Sequence, residues 1–183
     1  IIRFEKPTEG IWNLQVYGAD EAAREFHLWL PITGFADPDI TFLSPNPYTT
    51  LTSPSTPDTI LTTGAYQAAT GSLYIHSSRG YTADNDVKPD FVSPAVDVTG
   101  PGPLGSYVDK TGTSAAAALA AGASALLIQW GMERTPSRFY TTQELKFYLI
   151  RGAQRDPALT YPNREWGYGT LDLYNSFLSL MTN

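Results

Sequence analysis

The sequence predicts an α/β layer arrangement preceded by strands of a β-sandwich or jelly roll. Three observations carry that prediction. Short β-branched and aromatic runs, punctuated by Gly, Pro and Asp, fill the first half of the chain. One long alanine-rich apolar stretch opens at Thr113 or Ser114, and two amphipathic patterns follow it.

The first run, Ile11-Trp12-Asn13-Leu14-Gln15-Val16-Tyr17, alternates with period two and predicts a half-buried strand. Gly18-Ala19-Asp20 reads as a turn, Phe26–Leu30 as a second strand stopped by Pro31, and Ile40–Leu43 as a third. So few strands make an incomplete sandwich, which places the missing ones upstream. The chain also opens without an initiator Met and inside a strand-like run, so it reads as a fragment. Ser44 to Pro57 is rich in Pro, Ser and Thr and marks a module boundary. We therefore divide the chain into residues 1–50 and 51–183.

In the second part, Thr59–Tyr66, Leu73–His76 and Val96–Val98 predict short strands, the last confined by nearby proline. The helix from Thr113 or Ser114 should run to about Trp130, with Gly131 as its stop. Nothing from Ala115 to Ile128 is charged. A helix apolar all round is buried or spans a membrane, and this one is short for a span. Its Ala and Gly content instead permits close approach of a covering sheet. Thr141-Thr142-Gln143-Glu144 fits a capping box, and Gly152 fits a helix end. Leu171, Tyr174, Phe177 and Leu178 outline the apolar side of the last helix.

Composition excludes several functions. With 183 residues and net charge −6 but no basic cluster, nucleic acid and anionic membrane are poor partners. No cysteine is present, which removes disulfides, thiolate metal sites and a cysteine nucleophile. The two histidines, His27 and His76, have no His or carboxylate neighbours at metal spacing, so no zinc site is expected, and no motif calls for another cofactor. Asp84, Asp86, Asp90 and Asp97 offer oxygen ligands that could bind calcium, but their spacing does not match an EF-hand loop and they read as a solvated acidic run.

Ser114 is the candidate for chemistry. Gly112-Thr113-Ser114 is a glycine turn that delivers a serine to a helix start, where unpaired N–H groups and partial positive charge favour an oxyanion beside the hydroxyl. An N-cap serine on a buried helix fits the same residues.

Five segments carry a resemblance. Gly112-Thr113-Ser114-Ala115-Ala116 with Ala121-Gly122-Ala123 resembles the G-T-S-x-A…A-G-A nucleophile segment of the subtilisin-like serine proteases. Thr59–Tyr66, His76-Ser77-Ser78-Arg79-Gly80, Lys88–Ala95, and Gly167-Tyr168-Gly169 with Leu171-Asp172 resemble further family segments, in family order, over residues 57 to 183. Ala125–Gly131, Lys146–Ala153 and Tyr161-Pro162-Asn163 look like the Csp branch, the germination proteases of clostridial spore-formers. That branch carries a jelly-roll insertion, whose closing strands residues 1–50 resemble.

The resemblance implies a serine endopeptidase working by acyl transfer, with Ser114 as nucleophile and Gly112 and Thr113 at the substrate. It implies that the catalytic Asp and His and the oxyanion Asn lie in an N-terminal portion, a required partner, so that these 183 residues alone are inactive. The implied substrate is a protein or peptide, in the Csp branch the precursor of a spore-cortex hydrolase. The implied setting is spore-associated or extracellular in a Gram-positive bacterium. Three positions depart from the pattern: Ala118 replaces a usual Pro, Ala95 a usual Gly, and Ala115 a frequent Met. The alternative is a catalytically dead relative that binds or regulates.

Overall fold

The structure, a computed structural model, describes residues 4–6, 8–18, 26–31, 35–134 and 140–181. The chain divides into two compact units, Ile1–Thr41 and Phe42–Asn183.

The first unit contains no strand among its described residues. The strands expected over 11–17 and 26–30 are not formed, and the expected turn at Ala19-Asp20 lies outside the described residues. Alternation makes a strand only where a neighbouring strand supplies the hydrogen-bond ladder. Among the described residues none does, and both parities stay exposed, with Ile11 at 73% and Trp12 at 56%. Local contacts remain: Trp12 Nε1 donates to the Thr8 carbonyl at 3.0 Å, and the Phe4 and Trp12 rings meet edge-on at 5.1 Å. Ile40–Leu43 also forms no strand; the Ile40 amide donates to the Asp37 carbonyl in a turn.

The second unit holds a mixed sheet of β1 (Thr63–Gln67), β2 (Ser72–Leu73) and β3 (Phe91–Pro94) in the order β2-β1-β3. β1 runs antiparallel to β2 and parallel to β3, with Thr63 opposite Phe91 and Tyr66 opposite Pro94. The segment 168–171 runs beside the other edge of β3. There the Tyr168 amide donates to the Asp90 carbonyl at 2.9 Å, the Val92 amide to the Gly169 carbonyl at 2.9 Å, and the Leu171 amide to the Val92 carbonyl at 2.8 Å. β4 (Val98–Pro101) and β5 (Tyr107–Lys110) form a separate antiparallel hairpin.

Three expected strands shift. The run at 59–66 becomes a strand only from Thr63, because Ile60 closes a turn on Pro57 and the Thr62 amide is taken by the Asp90 carboxylate at 2.7 Å. The run at 73–76 gives way after Leu73 to a turn in which the Ser77 amide donates to the Tyr74 carbonyl. The strand expected at 96–98 lies instead on Phe91–Pro94, fully buried through Ser93, and Asp97 breaks the chain at φ +52° before β4 begins.

Helix α1 (Thr113–Arg134) passes straight through Gly131. Gly131 is needed there for space rather than as a stop, because a Cβ would collide with the Tyr140 ring. Ala116, Ala120, Ala123, Leu127 and Gly131 form a buried stripe at helical spacing. The expectation of burial all round is not met: Ala117, Ala118, Leu119, Ala121, Gly122, Ala125 and Leu126 are exposed. With 22 residues α1 is also longer than expected, long and apolar enough to cross a membrane by length and composition. Its buried stripe nevertheless packs on β1 and β3, as in a layered α/β protein.

Helix α2 (Thr142–Gly152) opens on the expected capping box, Thr141 accepting from the Glu144 amide and Glu144 accepting from that of Thr141. Helix α3 (Leu173–Met181) packs on α2 and is capped by Asp172, which accepts from the Asn175 amide at 2.9 Å. Its inward side keeps the expected Phe177, with Leu171 also packed on the core ahead of the helix, and otherwise differs from the expected one. Leu171 precedes the helix and Tyr174 is 72% exposed, whereas Ser176 is fully buried and Leu173, Phe177 and Leu180 pack on the core.

Candidate active site

The site is assembled at the carboxyl end of β3. There the Ala95 amide donates to the Tyr66 carbonyl at 2.9 Å, and the Ala95 carbonyl accepts from the Gly112 amide at 2.8 Å. This second bond ties the head of α1 to the edge where the parallel strands end. Gly112 sits at φ +148°, a backbone conformation that side chains rarely adopt. Its carbonyl accepts from the amides of Ala115 at 3.0 Å and Ala116 at 3.4 Å and so starts the helix.

Beneath the turn, Ala65, Ala95 and Ala116 form a small buried cluster backed by Tyr74. Three methyl groups let the helix start approach the sheet closely. The methyl of Ala95, one of the departures from the family pattern, is thus part of the core.

Thr113 and Ser114 are both exposed at the first two positions of α1. The Ser114 amide is among the helix-start N–H groups that have no partner within the helix, where the partial positive charge of the helix end is concentrated. Among the described residues of the second unit, His76 makes no hydrogen bond to the Ser114 hydroxyl, and its only ring partner is Tyr74. His76 is exposed in its turn with its ring edge-on to Tyr74 at 5.3 Å, and His27 lies in the first unit against Trp29. Gly112, Thr113 and Ser114 thus follow one another on a single turn at the head of α1.

The acidic run is not a solvated group throughout. Asp84, Asp86 and Asp97 are exposed, but Asp90 is 2% exposed. Its carboxylate meets Lys88 Nζ at 3.0 Å and Lys146 Nζ at 3.1 Å, and Lys146 reaches on to Asp58 at 2.7 Å. Lys88, only 1% exposed, also donates to the Ile60 carbonyl at 2.6 Å. Burial pulls the Lys88 ammonium below its ordinary pKa, against the opposing pull of Asp90. Burial also lowers Lys146, but its bond to Asp58 and the attraction of Asp90 outweigh this and leave it raised. Asp58 is lowered, first by its bond to Lys146 and then by that charge. Sequence reasoning missed this network. Lys88 two residues before Asp90 is its only local signal, since Lys146 and Asp58 arrive from distant segments.

Fold and site together define an α/β protein with a mixed sheet and a serine on a glycine turn at the head of its central helix. The chain belongs to the subtilase family, whose model matches residues 39–169. It is similar to the CspB protease of Clostridium perfringens, at 33% identity and a TM-score of 0.72, over 77% of this chain and 31% of that one. This likeness bears out the Csp-type resemblance. The prenylagaramide maturation protease PagA (24% identity, TM-score 0.59, 73% of this chain and 47% of that one) and the PatG macrocyclase in complex with peptide (23%, 0.56, 70% and 38%) share the fold. The chain thus spans less than half the length of each of these structures. A comparison with curated protein sequences finds no match.

Proposed function

We propose that this chain is the nucleophile-bearing part of a subtilisin-like serine endopeptidase, with Ser114 attacking the scissile carbonyl. The observation that carries the reading is the Ala95–Gly112 bond, which presents Ser114 exposed at a helix start beside the ends of parallel strands. The Ser114 amide would donate one oxyanion hydrogen bond. Gly112 lets the backbone approach the substrate, and Thr113 borders the leaving-group side. The catalytic Asp and His and a second oxyanion donor belong to an N-terminal portion, without which the hydroxyl is a poor nucleophile. The exposed apolar face of α1 supports such a partner. Residues 1–50 are the closing part of a jelly-roll insertion and 51–183 the end of the peptidase domain. The substrate is a protein or peptide, and the Csp resemblance supports the precursor of a spore-cortex hydrolase.

Labelling of the full-length protein with a fluorophosphonate probe tests the reading. Covalent label that Ser114→Ala abolishes is expected. An unlabelled, folded wild-type protein would favour the catalytically dead relative.

A further inference from the structure

We propose that Asp97 and Thr111 form a clamp that positions the nucleophile turn. The two residues face each other at the base of the β4–β5 hairpin, one step beyond the Val98–Lys110 pair. The Asp97 amide donates to Thr111 Oγ1 at 3.0 Å, and the Thr111 hydroxyl donates back to Asp97 Oδ1 at 3.3 Å. One hydroxyl thus acts as acceptor and donor at once, which fixes the Thr111 side chain and holds Asp97 in its left-handed backbone conformation at φ +52°. The next rung is the Gly112–Ala95 bond, and Ser114 follows two residues on. Further along the hairpin, the Thr99 hydroxyl donates to Asp109 Oδ1 at 2.6 Å between directly opposed residues. The hairpin is therefore closed by side chains right up to the glycine turn.

Both clamp residues are exposed, so their bonds bear on local geometry more than on the stability of the core. Neither touches the Ser114 hydroxyl, and their role is positioning. A nucleophile displaced by a fraction of an ångström loses rate steeply, because its attack needs aligned atoms. This role rests on Ser114 being the nucleophile.

The test compares the rate of fluorophosphonate labelling in full-length wild type, Thr111→Val, Thr111→Ser and Asp97→Ala. Thr111→Val and Asp97→Ala should label about fivefold more slowly, the scale of one ordinary hydrogen bond, while Thr111→Ser, which keeps the hydroxyl, labels at close to the wild-type rate. Thermal midpoints of the two Thr111 variants should stay within about 2 °C of wild type. Wild-type labelling by Thr111→Val, failure of Thr111→Ser to rescue, or slowing matched by a fall in the thermal midpoint would each overturn the clamp. If wild type itself carries no label at Ser114, the nucleophile assignment falls and the clamp with it; if wild type labels and Thr111→Val labels equally, only the clamp falls.

Discussion

Lys88 and Asp90 form an ion pair at 3.0 Å with side chains 1% and 2% exposed, immediately before the strand β3. Asp90 also receives the Thr62 amide and Lys146, so one carboxylate joins the loop before β1, the start of β3 and the helix α2. Its partners make the pair tolerable in the core, because a buried charge without a counter-charge is strongly destabilising.

Removing one side of that pair should therefore be severe. Asp90→Ala leaves the buried Lys88 ammonium with no counter-charge, held only by the Ile60 carbonyl and the Thr62 hydroxyl, and leaves Lys146 with Asp58 alone. We expect a loss of about 3–5 kcal/mol, read as a lower urea midpoint. A midpoint unchanged from wild type would contradict the network's role.

The acid limb of stability should depend in part on Asp58. Its folded pKa lies below the ordinary 3.8, so its contribution is present above that value and is lost as pH falls through the folded value. Asp58 is 78% exposed, and solvent screening limits the effect to about 1 kcal/mol or less. Asp58→Asn should flatten the acid limb of the urea midpoint below about pH 4. An acid limb identical to that of wild type would exclude the contribution. On the alkaline side the raised Lys146 acts in the opposite sense, its stabilisation being lost as pH rises through its folded pKa.

Gly131 should resist even the smallest addition. Gly131→Ala gains helix propensity of about 1 kcal/mol, yet its methyl meets the Tyr140 ring, and overpacking of about 1–3 kcal/mol should win. The double variant Gly131→Ala with Tyr140→Ala should show coupling in thermal melts, because the clash is gone. Additive losses would place the cost elsewhere.

Much of the second unit was legible because its signals are local. The capping box at Thr141 and Glu144 needs only residues three apart, and the alanine-rich run marks α1 without reference to any partner. The glycine turn before Ser114 was legible for the same reason, and its segments in order pointed to the family. Strand positions were less so. Thr59–Thr62 look as β-prone as Thr63–Tyr66, but the Asp90 carboxylate takes the Thr62 amide and the Lys88 ammonium takes the Ile60 carbonyl.

By itself the sequence determined the α/β class, the starts of α1 and α2 and the serine on its turn, because propensity, capping and backbone freedom act over a few residues. Tertiary structure alone decided that Gly131 continues a helix, that Asp90 is buried with two lysines, and that the turn before Ser114 is pinned by Ala95. Each of those outcomes depends on an atom from a distant segment, and no local pattern encodes which segment will arrive.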